Sequence, residues 1–336
     1  MHKKKKALIT GVMGQDGSYL AEFLFEKGYE VYGLINTHKK KIIPYERDIF
    51  NKISLIWGDL ADIKSLQDAC KISQPNEVYN LAAISDLSTA EKYPEKTIDI
   101  NFTGVKRLLE ATRLINPSAR FFQALSGRIF DNGFCPQNEE TPFIAPQNPY
   151  DKAKRKVYEE IIVPYREKNN FFICGGFLFN HESPRRDNRF VTRKITQSLA
   201  RIKNGSQEIL ELGNLGAKRD WGFAGDYVEA MWMMLQQDKP NDYVIATGEI
   251  HTVKEFVDQA ASAIDISILW EGEGINIIGK DKTGKTIIKC NSLFFKEENS
   301  ISVGDISKIK KKLGWAPKTS FRDLVVMMVK ADISNI

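Results

Sequence analysis

The sequence predicts an α/β protein, a Rossmann-type doubly wound parallel sheet with a smaller mixed α/β nucleotide-sugar-binding domain beside it. Apolar runs of strand length alternate with amphipathic helical stretches through the first half of the chain, which argues for a parallel sheet with right-handed crossovers. The first run, Ala7-Leu8-Ile9-Thr10, leads into Gly11, Gly14 and Gly17 and then a helix-like stretch, Tyr19 to Leu24, that ends at Gly28. A glycine turn between strand and helix lets backbone N–H groups approach a pyrophosphate, and the helix N-terminus adds partial positive charge. Alone the trio is a weak signal, because a purely structural tight turn reads the same way. Tyr150-Asp151-Lys152-Ala153-Lys154 is the other observation: it sets a phenol and an ammonium one helical turn apart on one face. A nearby cation lowers a phenol from its reference pKa of about 10 and makes it a usable general base. A surface Tyr and Lys on a solvated helix is the commoner source of this pattern. The glycine turn upstream weighs against it.

The candidate strands, in order, are Lys6 to Thr10, Glu30 to Ile35, Ser54 to Gly58, Glu77 to Ala82, Arg120 to Ala124 and Phe172 to Phe179. Helical patterns lie between them at Ile63 to Ile72, Val105 to Ile115 and Tyr150 to Glu167. Beyond Asn180 the alternation breaks down into polar, arginine-rich loops, which predicts a cap over the open end of the sheet, where doubly wound folds bind ligands. Residues 1–178 with about 219–250 are expected to form the dinucleotide-binding domain, and about 179–218 with 251–336 the substrate domain. Lysines and glycines between Gly272 and Lys289 predict an exposed loop or hairpin.

A chain of 336 residues buries a sizeable core, and its 42% hydrophobic and 27% charged content is that of ordinary soluble protein. The net charge of +5 includes clusters at Lys3 to Lys6 and Lys310 to Lys312, which read as a solvated tail and helix face rather than a nucleic-acid surface. A mildly basic balance suits a phosphorylated small substrate. No stretch approaches the roughly 20 apolar residues that cross a bilayer, and no signal-peptide core follows the lysines, so the expected location is the cytoplasm. Cys70, Cys135, Cys174 and Cys290 lack paired spacing, and His2, His38, His181 and His251 do not cluster. No metal is expected.

With these residues in hand, the chain resembles the extended short-chain dehydrogenase/reductases and, within them, the GDP-mannose 4,6-dehydratases. The resemblance rests on Gly11-Val12-Met13-Gly14-Gln15-Asp16-Gly17-Ser18-Tyr19-Leu20, Trp57-Gly58-Asp59-Leu60, Tyr79-Asn80-Leu81-Ala82-Ala83, Tyr150 with Lys154, and Asn180-His181-Glu182-Ser183-Pro184-Arg185-Arg186. Val191 to Ile195, Gly213-Asn214, Arg219 to Gly222 and Val244 to Gly248 extend it. It implies a nicotinamide cofactor at Gly11, Gly14, Gln15, Asp16, Gly17, Asn36, Thr37, Asp59, Leu60, Leu81, Ala82 and Ala83, with Tyr150 and Lys154 beside it. Asn80 would line the same groove. It implies catalysis by Ser126, Tyr150 and Lys154. The sugar nucleotide would meet Ser85, Arg128, Asn180, Glu182, Arg185, Val191, Lys194, Gly213 and Arg219, whose amide, carboxylate and guanidinium groups suit a guanine edge and phosphate oxygens. Asp59 and Asn80 could equally serve as turn and strand-end residues, and Arg185, Arg186 and Arg219 as a surface salt-bridge cluster. A homo-oligomer, dimer or tetramer, is implied too.

Two departures from the family pattern shape the expected function. Asn36 and Thr37 stand where these dehydratases carry an arginine pair for the 2′-phosphate of NADP, which favours NAD, although Lys39 to Lys41 keep NADP open. Arg128, in Leu125-Ser126-Gly127-Arg128-Ile129-Phe130-Asp131, takes the place of a glutamate that removes the C5 proton. A guanidinium cannot act as that base. The expectation is therefore NAD-dependent oxidation at C4 of a GDP-linked manno-configured sugar without dehydration, similar to GDP-manno-heptose 4-dehydrogenases of bacterial capsule pathways. The NADH would either exchange with free NAD or be reoxidised in place by a keto acid such as 2-oxoglutarate. The alternatives are a 4-epimerase, a GDP-mannose 4,6-dehydratase using another base, and an inactive nucleotide-sugar-binding partner.

Overall fold

The structure is a computed structural model that describes residues 4–36, 48–297 and 301–336. Thr37 and Lys39 to Lys41, named above for the cofactor, lie outside the described residues. Strands β1 (Lys6–Thr10), β2 (Glu30–Ile35), β3 (Ser54–Trp57), β4 (Glu77–Asn80), β5 (Arg120–Ala124) and β6 (Ile173–Leu178) are followed by β7 (Asn180–Glu182), β8 (Leu210–Leu212), β9 (Lys218–Arg219), β10 (Trp221–Phe223) and β11 (Tyr243–Ile245). The main sheet has the order β11-β6-β5-β4-β1-β2-β3, with every pairing parallel. Chain order reverses between β1 and β4, which is where such sheets open a crevice at their carboxyl ends.

Both faces of this sheet are covered, so its strands read as continuous apolar runs. Leu8 packs on one side with Leu66, Leu108 and Phe121. Its neighbours Ala7 and Ile9 pack on the other side with Leu20, Leu24 and Met231. Helix α1 (Gln15–Glu26) follows the glycine turn directly. β4 ends at Asn80, two residues short of the predicted Ala82, because the Leu81 and Ala82 amides both donate to the Thr10 hydroxyl at 3.1 Å and leave the ladder.

The predicted helix Tyr150 to Glu167 is a helical segment from Pro149 to Asn169 with a π-helical stretch at Val157–Ile162. Pro164 lies just beyond it. A proline removes one backbone donor and crowds the preceding turn, and a widened turn is one way a helix absorbs that.

The smaller part sets helices Val191–Lys203, Val253–Ser262 and Phe321–Ile333 against a four-stranded sheet of Leu269–Glu271, Ile278–Lys280, Thr286–Cys290 and β8. Leu199, Phe256 and Leu324 belong to its core. The stretch from Gly272 to Lys289 holds a hairpin, Ile278–Lys280 against Thr286–Cys290. Later chain returns to the main sheet: Gln137 exchanges backbone and side-chain bonds with Ile301, Val303 and Asp305, and Trp315 Nε1 donates to Asp226 O. Among the described residues no helix is long and apolar enough to cross a membrane.

Candidate active site

The glycine turn is built by close approach. Gly11 has φ +67°, and a Cβ there would lie 2.9 Å from the Ala82 backbone nitrogen. A Cβ on Gly17 would lie 2.3 Å from Gly11 O. Both positions exclude any larger residue without backbone movement. Gly14 precedes α1 with no side-chain cap, so the first-turn amides face the crevice as an anion site. Leu81, Ala82 and Ala83 follow β4 along its rim, and Ser85 lies exposed just beyond. At the end of β2, Asn36 Nδ2 donates to Asp59 Oδ2 at 2.8 Å, while Asp59 Oδ1 accepts from the Ala61 amide.

Four residues expected at the cofactor have side chains engaged within the fold. Asn80 is fully buried, accepting from the Thr10 hydroxyl at 2.6 Å and donating to Gln123 Oε1 at 2.8 Å, so it fixes strand ends rather than lining the groove. Leu60 is buried in the core beside Gly104. Gln15 and Asp16 start α1, yet their side chains turn toward β7: Gln15 Nε2 donates to His181 O at 3.0 Å, and Asp16 Oδ2 stands 2.9 Å from His181 Nε2.

Ser126, Tyr150 and Lys154 come together at the carboxyl end of β5. Lys154 is buried, and its ammonium donates to Ala124 O at 2.6 Å and sits 5.6 Å from the centre of the Tyr150 ring. Burial pushes this ammonium down to about 8. The expectation that Lys154 brings the phenol down is corrected. Burial pushes Tyr150 above its ordinary value, and it is opposed by a hydrogen bond with Ser126 and by the charges of Arg128 and Arg186. Ser126 is itself buried and its hydroxyl accepts from the Arg128 amide at 3.3 Å. The Arg128 side chain is half-exposed, with Nε 3.2 Å from the buried carboxylate of Asp151. Sequence reasoning missed Asp151, although its place beside Tyr150 was a signal.

On the sugar-nucleotide side the predicted residues separate into two groups. Asn180, Lys194, Gly213 and Arg219 are partly accessible and Val191 is exposed. The Lys194 ammonium lies 4.5 Å from the Phe294 ring centre and is lowered, first by desolvation. A Cβ at Gly213 would strike Phe294 O at 2.3 Å. Arg219 Nη1 donates to Lys218 O at 2.6 Å. Glu182 and Arg185, expected at the sugar nucleotide, are engaged within the protein. Glu182 is buried, accepting from the Thr192 hydroxyl at 2.6 Å and pairing with Arg186 at 3.1 Å. Arg185 holds Glu22 through two contacts of 2.7 Å and stacks over Tyr19. Both therefore have partners inside the protein.

Asp220, buried between β9 and β10, accepts from the Thr247 amide and hydroxyl and from the Gly248 and Gly304 amides. It ties three separate stretches of chain beneath Arg219. The sequence motif contained it without revealing that role.

Residues 8–328 match the family model of GDP-mannose 4,6 dehydratase. The chain is 45% identical to the GDP-mannose 4,6 dehydratase of Drosophila melanogaster, over 98% of this chain and 87% of that protein. It is 46% identical to the Homo sapiens protein of that name (97% and 91% covered) and 42% identical to the one from Vibrio cholerae (98% and 94% covered). Among solved structures, RMD from Pseudomonas aeruginosa complexed with NADPH superposes with TM-score 0.78 at 20% identity, covering 99% of this chain and 100% of that one. UDP-glucose 4-epimerase from Brucella ovis in complex with NAD gives 0.80 at 17%, covering 98% of each. These confirm the fold. The named relatives overturn the expected non-dehydrating 4-oxidation of a heptose, since full-length matches at 42–46% identity are dehydratases and point to dehydration. The glycine turn, the Ser126, Tyr150 and Lys154 cluster and the match along nearly the whole length place this chain in the GDP-mannose 4,6-dehydratase family of extended short-chain dehydrogenase/reductases.

Proposed function

We propose that this chain converts GDP-mannose to its 4-keto-6-deoxy product by a dehydration in which a group other than Arg128 removes the C5 proton. The observation that carries the reading is the cluster of Ser126, Tyr150 and Lys154 at the end of β5, in a chain whose relatives bear that activity in their names. Ser126 orients the C4 oxygen and Tyr150 receives its proton, with Lys154 on the same helical face. A nicotinamide, when bound, supplies the hydride acceptor at C4 and returns the hydride at C6. The C5–H bond breaks with its proton passing to a base other than the Arg128 guanidinium, the C6–O bond breaks, and the oxygen leaves with a proton as water. A proton returns to C5 as the hydride reaches C6. The net change is loss of one water, so no keto-acid acceptor is required.

The cofactor we infer is NAD. A Cβ-free cradle at Gly11 and Gly17 accommodates a pyrophosphate at the start of α1. At the far end, the Asp59 carboxylate beside Asn36 disfavours a 2′-phosphate and accepts ribose hydroxyls.

Incubation of the protein with GDP-mannose and NAD in heavy water, followed by mass spectrometry, tests this. Loss of water with deuterium at C5 is expected. A wild-type product that keeps its C6 oxygen overturns the proposal.

A further inference from the structure

Tyr150 adjoins two residues that both hold Arg128. Asp151 follows it on the helix that begins at Pro149, and the Asp151 carboxylate is buried. Asn148 Nδ2 donates to Asp151 Oδ2 at 2.7 Å, and the Asp151 amide returns a bond to Asn148 Oδ1 at 2.9 Å. The other oxygen, Asp151 Oδ1, accepts from Arg128 Nε at 3.2 Å. One carboxylate oxygen thus secures the helix start and the other the guanidinium. On the β5 side the Arg128 amide donates to the Ser126 hydroxyl at 3.3 Å, and that hydroxyl is hydrogen-bonded with Tyr150. Arg128 is therefore fixed twice, by its backbone at Ser126 and by its side chain at Asp151.

The other cations near the phenol have partners of their own. Arg186 pairs with Glu182 and stacks over Phe190, 3.5 Å from the ring centre. The Lys154 ammonium donates to Ala124 O. Burial pushes the phenol up. The Ser126 hydrogen bond opposes this first and the Arg128 charge next, with an effect larger than either the repulsion of Asp151 or the help of Arg186. A carboxylate at position 128, as the dehydratases carry, repels a phenolate, whereas a guanidinium attracts one. The exchange thus reverses the sign of the field at Tyr150.

We propose that Arg128, oriented by Asp151, is a positioning residue for the oxidation at C4, where its charge favours the Tyr150 phenolate that receives the hydroxyl proton. This rests on the reading of Tyr150 as that proton acceptor. In the step concerned, the O–H bond at C4 breaks and its proton passes to the phenolate oxygen. The C4–H bond breaks with its electron pair going to the nicotinamide ring, and the C4–O bond becomes a carbonyl. A side chain unable to take the C5 proton thereby serves the earlier half of the reaction.

Ultraviolet titration of the full-length protein, with Tyr150→Phe as the blank, reads the phenol directly. The Tyr150 phenolate should appear at higher pH in Arg128→Met than in wild type, and Arg128→Lys should restore most of the difference. Arg128→Met combined with Asp151→Asn leaves no unpaired buried carboxylate and should still ionise above wild type, because the Arg128 effect is the larger. In single turnovers at about pH 7 with saturating GDP-mannose and NAD, the rise of NADH absorbance should be about tenfold slower in Arg128→Met, the low end for a charge that is half-exposed. Added salt should slow wild type toward that rate and leave Arg128→Met unchanged, since an exposed charge is screened. An unchanged phenol titration and NADH rise in Arg128→Met overturn the proposal. So does a slower rise that neither Arg128→Lys restores nor salt reproduces, which marks a structural contact. A wild-type NADH rise in Tyr150→Phe overturns the reading of Tyr150 instead.

Discussion

The two nucleotide-facing regions are held by different means. Around the glycine turn, backbone meets backbone: Gly11 lies against Ala82, Gly17 against Gly11 O, and the Thr10 hydroxyl gathers two amides. Around β7, side chains meet side chains from distant chain segments, as in Arg185 with Glu22, Glu182 with Thr192 and Asp16 with His181. Backbone contacts tolerate no added atom, whereas side-chain contacts tolerate exchange of one polar partner at moderate loss. The first region should break abruptly and the second by degrees.

Gly17→Ala gives the largest effect, because the new Cβ meets the carbonyl of Gly11 and part of the turn must move. Cofactor binding measured by NADH fluorescence should disappear; retained binding would show that the turn is softer than its contacts imply. Tyr150→Phe should lower the rate about 10²–10⁴-fold, the usual worth of a positioned proton acceptor, with GDP binding intact. Turnover near wild type would remove Tyr150 from its role.

The pH profile comes next. Lys154 carries its charge below about 8 and loses it above, since burial lowers this ammonium, so activity should decline as pH rises through about 8. A limb that appears only near about 10, the ordinary lysine value, would mean that ligands shield the ammonium from the effect of burial. The smallest change is expected from Asn36→Arg. A guanidinium there gains an exposed pairing with a 2′-phosphate worth about 1 kcal/mol, or roughly fivefold in preference for NADP over NAD. An unchanged ratio would place the phosphate elsewhere.

The same contrast explains what the sequence disclosed. β1, β2 and β5 have the predicted bounds because strands buried on both faces are written as unbroken apolar runs between turn residues. The pairing of Tyr150 with Lys154 was legible because the two lie four residues apart on one helix. The widened turn at Val157–Ile162 was not, since Val157, Ile161 and Ile162 keep an apolar face whether the turn is α or π. The partners of Glu182 and Arg185 were not legible for a related reason. A polar residue in a motif discloses its chemistry but not its partner, and the Arg185 partner lies 163 residues away in sequence. Asn80 likewise looked like a rim residue until its two buried partners, Thr10 and Gln123, were in view.

The late return of the chain to the main sheet also governs how the protein is made. β11 completes the sheet beside β6, and Gln137 makes four hydrogen bonds to Ile301, Val303 and Asp305. Loop closure over about 165 residues is slow to search and is rewarded only when the last segment arrives. During synthesis, Gln137 therefore waits unsatisfied until Ile301 to Asp305 have left the ribosome. A nascent chain stalled before that point exposes the loop around Gln137 to whatever chaperone or neighbour is at hand.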